Sequence, residues 1–216
     1  LRADRLAVLP DGVDTQAAAA LPLAGLTALR TLERGGPLLG ARVLVTAAAG
    51  GVGWTQVRLA VAAGAEVVAV TRRRHLHDEL LDAGASSVVA YAGDAAGLFD
   101  LVLDGVGGTH LSTSIARSAP GGHLVLHGAS DPGRSEVNLL DFVGHEDVTV
   151  HTPFSYASTR STGTDLARLV RLLELDPTLV RVGDRRSWHD VDGLLQALAD
   201  GEVDGKAVLT IGGDPS

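Results

Sequence analysis

The chain has 216 residues, enough for one large domain or one domain plus part of a second. Its net charge of −8 argues against a general nucleic-acid binder, which would show a basic face, and the absence of cysteine excludes disulfides, thiolate metal sites and thiol nucleophiles. A hydrophobic fraction of 45% allows a sizeable core, while no apolar run nears the roughly 18 residues of a membrane span. Nothing resembles a signal peptide, so a cytoplasmic location is expected by default. Seventeen arginines against the single Lys206 read as coding bias. Methionine is also absent and the first residue is Leu1, from which a piece of a longer chain is expected.

In chain order, an entering strand is expected over Arg5–Leu9, closed by the turn Pro10-Asp11-Gly12. Asp14 or Thr15 can cap a helix through Gln16–Ala20, Leu21-Pro22-Leu23 interrupts it, and Ala24–Leu32 resumes with Leu26, Leu29 and Leu32 on one side. Gly35-Gly36-Pro37 ends that helix. Val43–Val45 with Thr46 reads as a short buried strand, and the glycine-rich turn Ala47–Gly53 opens into a helix, Val52–Ala63, ended by Gly64. Further strands are expected at Glu66–Thr71, Ser87–Tyr91, Asp100–Leu103 and His123–His127, with helices His77–Ala83 and Thr109–Ser118 between them. Ala92–Leu98 is too short to hold much of a helix. Asp147–Thr152 can add a sixth strand, Thr164–Leu175 and Val191–Ala199 have helical spacing, and Ala207–Ile211 is a last strand that need not join the same sheet. Strands alternating with helices across short glycine turns indicate an α/β, Rossmann-type doubly wound parallel sheet.

The chain is organised around Ala41–Gly53, ARVLVTAAAGGVG. Gly50, Gly51 and Gly53 permit a tight turn, a close approach to a ligand and close packing of helix on strand. Amide N–H groups and the positive end of the helix dipole would then face a pyrophosphate. As G-x-G-x-x-G the positions are Ala48, Gly50 and Gly53, with alanine replacing the first glycine. The end of the next strand selects the cofactor, because an acidic residue there binds ribose hydroxyls and repels a 2′-phosphate. Thr71 is followed instead by Arg72, Arg73 and Arg74, and no carboxylate occurs before Asp78. Guanidinium forks suit a 2′-phosphate, so NADPH is favoured over NADH.

At this point several runs together carry a resemblance: AAALPLAGLTAL, VLVTAAAGGVG, GAEVVAV, LDAGASSVVAY, FDLVLDGVGG, PGGHLVLHG and GKAVL. In this order they resemble the zinc-independent quinone-oxidoreductase branch of the medium-chain dehydrogenase/reductases. The resemblance implies that Thr27 lies near the nicotinamide, that Gly50, Gly51 and Val52 form the pyrophosphate loop, and that Thr71, Arg72 and Tyr91, with Arg74 as a further candidate, hold the adenosine 2′-phosphate. It places Val106, Gly107, Gly128 and Ala129 at the nicotinamide end, with Pro153–Ser155 in looser correspondence. For Thr27, Tyr91 and Val106 the alternative is simple packing. Zinc-dependent relatives carry a cysteine where Ala24 stands, so this chain is expected to supply none of that zinc site. The resemblance also implies an absent leading barrel-like (GroES-like) domain. Residues 1–21 would be its remnant and linker, 22–175 the dinucleotide-binding domain, and 176–216 a segment returning to the barrel. A homodimer through the edge strand Asp147–Thr152 is implied in the same way.

Other chemistry is less favoured. Tyr156 and Arg160 imitate the Tyr-x-x-x-Lys pair of short-chain reductases, but arginine has a fixed charge and a different geometry. His75 and His77 are spaced wrongly for one helix face, so two solvated imidazoles are expected in preference to metal ligands. His127 is a substrate-side candidate, Asp104 a structural residue bonding loop amides, and Trp54 a packing residue. No catalytic residue is assigned. The expected activity is hydride transfer from NADPH to a small-molecule quinone, enone or other activated double bond. The alternative is a module, or half of a split enzyme, that binds NADPH without turnover; a methyltransferase is disfavoured because it has no use for Arg72–Arg74.

Overall fold

A computed structural model describes residues 2–153 and 161–212. Six strands form one parallel sheet: β1 (Arg42–Val45), β2 (Glu66–Val70), β3 (Ser87–Val89), β4 (Phe99–Asp104), β5 (Ser118–Leu126) and β6 (Thr149–His151). Their spatial order is β3-β2-β1-β4-β5-β6, which reverses direction between β1 and β4. The chain is therefore the expected Rossmann-type doubly wound α/β fold, and ligands of such sheets sit at the carboxyl ends of the strands at that reversal.

Strand alternation divides the core into two layers. Val43, Val45, Leu101 and Leu103 point to one face, where they meet Leu29, Val57 and Leu169. Leu44, Val68, Val102 and Phe99 point to the other, against Ile115. The helices that supply these partners are α1 (Thr15–Ala20), α2 (Leu26–Leu32), α3 (Gly51–Ala62), α4 (His77–Asp82), α5 (Leu111–Arg117) and α6 (Thr162–Leu175). A buried ion pair, Arg30 Nε to Asp165 Oδ2 at 2.9 Å, locks α2 to α6.

Several expectations need correction. Arg5–Leu9 is not a strand: Ala3–Arg5 is a 3₁₀ turn, and the residues after it find no edge to pair with among the described residues. Leu21-Pro22-Leu23 does not break the helix either. Leu21–Gly25 continues from α1 to α2 as a π turn, and this wider turn accommodates Pro22, which has no N–H to donate. The strand expected over His123–His127 begins earlier, at Ser118, so that Pro120, Gly121 and Gly122 lie inside β5, where the pairing with β4 shifts register. The third strand stops at Val89, leaving Tyr91 exposed beyond it.

One strand was not anticipated. β7 (Val182–Ser187) pairs in parallel with β8 (Lys206–Thr210) as a separate two-stranded sheet, joined through α7 (Val191–Ala199). This C-terminal unit is fastened to the main body. Trp54 Nε1 donates to the Thr178 carbonyl at 2.8 Å, Arg58 pairs with Asp176 at 2.6 Å, and Arg181 pairs with Glu79 while stacking over the Trp54 ring. No helix among the described residues is long and apolar enough to cross a membrane.

Candidate dinucleotide-binding site

The β1–α3 turn begins the site. Ala47 adopts a left-handed conformation (φ 50°), and Gly50 N–H bonds back to its carbonyl at 2.9 Å. A Cβ at Gly53 would overlap the Ala47 carbonyl oxygen and come within 2.7 Å of Ala48 Cα, so only glycine lets α3 leave the strand this closely. No side chain caps α3, whose first-turn N–H groups are left facing the open end of the turn. The stem of Lys206 lies over Gly51, with Cγ 2.6 Å from where a Cβ would stand.

A cleft of about 520 Å³ opens at the carboxyl ends of β1, β2 and β4. The β1 turn contributes Thr46, Ala47, Ala49 and Gly50; the end of β2 contributes Thr71, Arg72 and Arg73; and Tyr91 closes the far side. Val106, His110, Ser114 and Ser130 complete it from the β4 and β5 side. No carboxylate lines it among the described residues.

The three consecutive arginines separate by duty. Arg73 borders the cleft but commits its guanidinium elsewhere, donating to the carbonyls of Val203 (2.8 Å) and Gly201 (2.9 Å) and pairing with Asp204. Burial works against the charge of Asp204, but hydrogen bonds from His75 and Arg73 outweigh it and hold the carboxyl below its ordinary value. Arg72 lines the cleft, is exposed, and has no hydrogen bond or ion pair among the described residues. Arg74 is equally unpaired but lies in the following 3₁₀ turn, off the cleft lining. His75 bonds Asp204 at 2.8 Å and His77 bonds the Thr71 carbonyl at 3.2 Å, so both rings have ordinary partners.

Of the anticipated site residues, Gly50, Thr71, Arg72, Tyr91 and Val106 line the cleft. Gly51 and Val52 stand beside it in the first turn of α3, and Thr27 is half-buried on α2. Gly107, Gly128 and Ala129 lie in the turns after β4 and β5 without lining the cleft; a Cβ at Gly107 would stand 3.2 Å from the Gly128 carbonyl. Pro153 is described, whereas Phe154, Ser155, Tyr156 and Arg160 lie outside the described residues.

Asp104 is the loop-bonding residue expected. Its Oδ1 accepts from Val106 N–H at 2.8 Å and Gly107 N–H at 2.9 Å, while Oδ2 accepts from Ser114 at 2.8 Å. His110 and Ser114 were not anticipated, because nothing in Thr109–Ser118 marks which helix face meets the cleft. His127 is half-buried at the end of β5, 3.1 Å from Gln56 Nε2. Burial, opposed by the Asp104 charge and a bond to its own main chain, pushes this imidazole down to about 4.

The profile of the family described as zinc-binding dehydrogenase matches residues 51–173, more than half of the chain. The chain belongs to the zinc-binding dehydrogenase family. Within this family it falls in the quinone-oxidoreductase-like branch of the medium-chain dehydrogenase/reductases. It is 30% identical over 223 residues to a quinone oxidoreductase of Pseudomonas aeruginosa, covering 97% of this chain and 69% of that protein. A 94-residue stretch is 45% identical to the acrylyl-CoA reductase AcuI of Ruegeria pomeroyi, covering 42% of this chain and 28% of that protein. Among solved structures, mycobacterial Rv1454c complexed with NADPH is similar, with a TM-score of 0.81 and 29% identity, covering 93% of this chain and 67% of that one. The chain thus spans from 28% to about two-thirds of the length of these relatives.

The family's name raises the question of a metal. Ala24, where zinc-dependent relatives are expected to place a cysteine, is fully buried, and no group of three or more metal-ligating side chains occurs among the described residues. These residues do not fit a zinc site. They do fit a dinucleotide, through the glycine-only turn, the uncapped α3 and the unpaired Arg72.

Proposed function

We propose that this chain is the cofactor-binding part of an NADPH-dependent, zinc-independent oxidoreductase. Its substrates would be quinones, enones or other activated carbon–carbon double bonds. The observation that carries the reading is the far end of the cleft, where an unpaired arginine, a threonine and a tyrosine surround a space free of carboxylates. That is the donor set a ribose 2′-phosphate requires and an unphosphorylated ribose does not.

The assignments we propose carry the family resemblance onto the strand ends. Thr71, Arg72 and Tyr91, with Arg74 from the adjacent turn, would hold the 2′-phosphate and adenosine. The N–H groups of Gly50, Gly51 and Val52 would receive the pyrophosphate. Thr27, Val106, Gly107, Gly128 and Ala129 would border the nicotinamide. When bound, the nicotinamide supplies the hydride. The chain's own residues orient the cofactor, with Asp104 holding the β4 turn that presents Val106 and Gly107. Residues 22–175 would be the dinucleotide-binding unit, with 1–21 and 176–216 the flanks that join a barrel-like partner domain. Homodimer formation would use β6, the outer edge of the sheet.

The test is calorimetric titration of NADPH and NADH on wild type and Arg72→Ala. Tighter NADPH binding is expected, with a loss of roughly ten- to hundredfold in the variant and little change for NADH, as for one charged hydrogen bond removed. Binding of neither cofactor, or an undiminished NADPH preference in the variant, overturns the reading. Turnover of an enone then separates an enzyme from a binding module.

A further inference from the structure

Between α2 and α3 a polar stripe runs inward from the cleft side of an otherwise apolar layer. Thr27 and Thr31 are one turn apart on α2, and Gln56 on α3 faces Thr31. Gln56 is fully buried, yet its amide reaches two partners: Thr31 Oγ1 at 2.8 Å and His127 Nε2 at 3.1 Å. Thr31 commits its own hydroxyl hydrogen to the Ala28 carbonyl at 2.9 Å, so the group facing it must donate. With the NH₂ placed there, both of its hydrogens are used and one oxygen, Oε1, is left without a partner. The reversed amide would strand two buried N–H donors instead, which is the costlier arrangement. Gln56 therefore donates to His127 Nε2, and the imidazole carries its hydrogen on Nδ1.

The ring held in this way lies beneath the nicotinamide end of the cleft. A Cβ at Gly105 would be 3.0 Å from His127 Cε1 and 3.5 Å from the Ala47 side chain, while one at Gly128 would overlap the Gly105 carbonyl. The turns after β1, β4 and β5 thus meet over a single imidazole. His127 N–H continues the ladder by donating to the Asp104 carbonyl at 2.9 Å.

We propose that Gln56 and His127 are a positioning pair: the Gln56 amide fixes the tautomer and tilt of the imidazole, and the ring sets the spacing of the three turns that receive the nicotinamide half of the cofactor. The inference rests on the cofactor reading above. It gives His127 a place behind the main chain and removes it from contact with substrate. Facing charge on the neighbouring elements comes from Asp104 on β4.

Two ligands separate the ends of the cleft: NADPH spans it, whereas adenosine 2′,5′-bisphosphate occupies the adenosine end alone. In Gln56→Leu and in His127→Leu, NADPH affinity is expected to fall about tenfold, as for one hydrogen bond to the carboxamide lost, with adenosine 2′,5′-bisphosphate affinity unchanged. His127→Gln, whose side-chain oxygen can accept from Gln56, restores NADPH binding. Nitrogen-15 NMR of the wild type shows His127 protonated at Nδ1 and bare at Nε2, and Gln56→Leu abolishes that pattern. Unchanged NADPH affinity in both leucine variants overturns the proposal, as does an equal loss for both ligands or a wild-type ring protonated at Nε2. If wild type binds neither ligand, the cofactor reading itself has failed; intact binding that is blind to these substitutions defeats the positioning pair alone.

Discussion

Mild acidification is expected to weaken this fold chiefly through one side chain. His127 sits at about 4 in the folded protein against 6.5 for the free imidazole, chiefly because burial disfavours its charged form. A depressed histidine stabilises the fold fully above 6.5, where both states are neutral, and that stability is lost as pH falls from 6.5 through 4, where only the unfolded chain binds the proton. At 1.36 kcal/mol per pH unit the whole effect is roughly 3 kcal/mol, of which about 2 kcal/mol is gone by pH 5. Depressed carboxyls such as Asp176 and Asp204 act at lower pH, below their ordinary value of 3.8, and leave this window clear. His151 is lowered as well, by burial and then by His123 and Arg34, so it adds a loss of the same sign that must be subtracted. His127→Gln keeps an acceptor for Gln56 and cannot titrate. Urea unfolding followed by circular dichroism at pH 7 and pH 5 should therefore show the wild type losing about 2 kcal/mol more than the variant. Parallel losses in the two proteins would refute the argument.

Asp165→Ala leaves Arg30 buried without the carboxylate it meets at 2.9 Å, and a loss of about 3–5 kcal/mol is expected in the same unfolding assay. A cost under 1 kcal/mol would show that the pair is solvated. Gly53→Ala sets a methyl against the main chain of Ala47 and Ala48, which must shift. Thermal unfolding should report about 1–3 kcal/mol of destabilisation, and an unaltered melting temperature would contradict the close approach.

The parts of this fold that sequence reveals are those written in local spacing. Val43–Val45, Val67–Val70 and Leu101–Leu103 are apolar runs, the first and third followed by glycine turns, and a parallel sheet buried on both faces leaves that signature. β7, Val-Gly-Asp-Arg-Arg-Ser, carries no such pattern because its small sheet is half-exposed and its pairing with β8 supplies the order. Leu6–Leu9 misleads in the opposite sense: its apolar residues look like a strand, but they pair with no edge among the described residues. Within the site, Gly50, Thr71 and Arg72 follow from motif position, whereas His110 and Ser114 reach the cleft only through the way α5 packs. Gln56 and His127 stand 71 residues apart, and only the tertiary structure brings an amide to an imidazole there.

Arg72 and Arg73 are neighbours in the chain with unrelated obligations, one open to the cleft and the other fastened to Val203, Gly201 and Asp204. On the proposed reading of Arg72 as the 2′-phosphate residue, selection can rewrite position 72 without loosening the C-terminal segment, and descendants of this chain are free to exchange one nicotinamide cofactor for another while inheriting the same scaffold. A change at position 73 has no such freedom, since it would be felt first in folding and only afterwards in recognition.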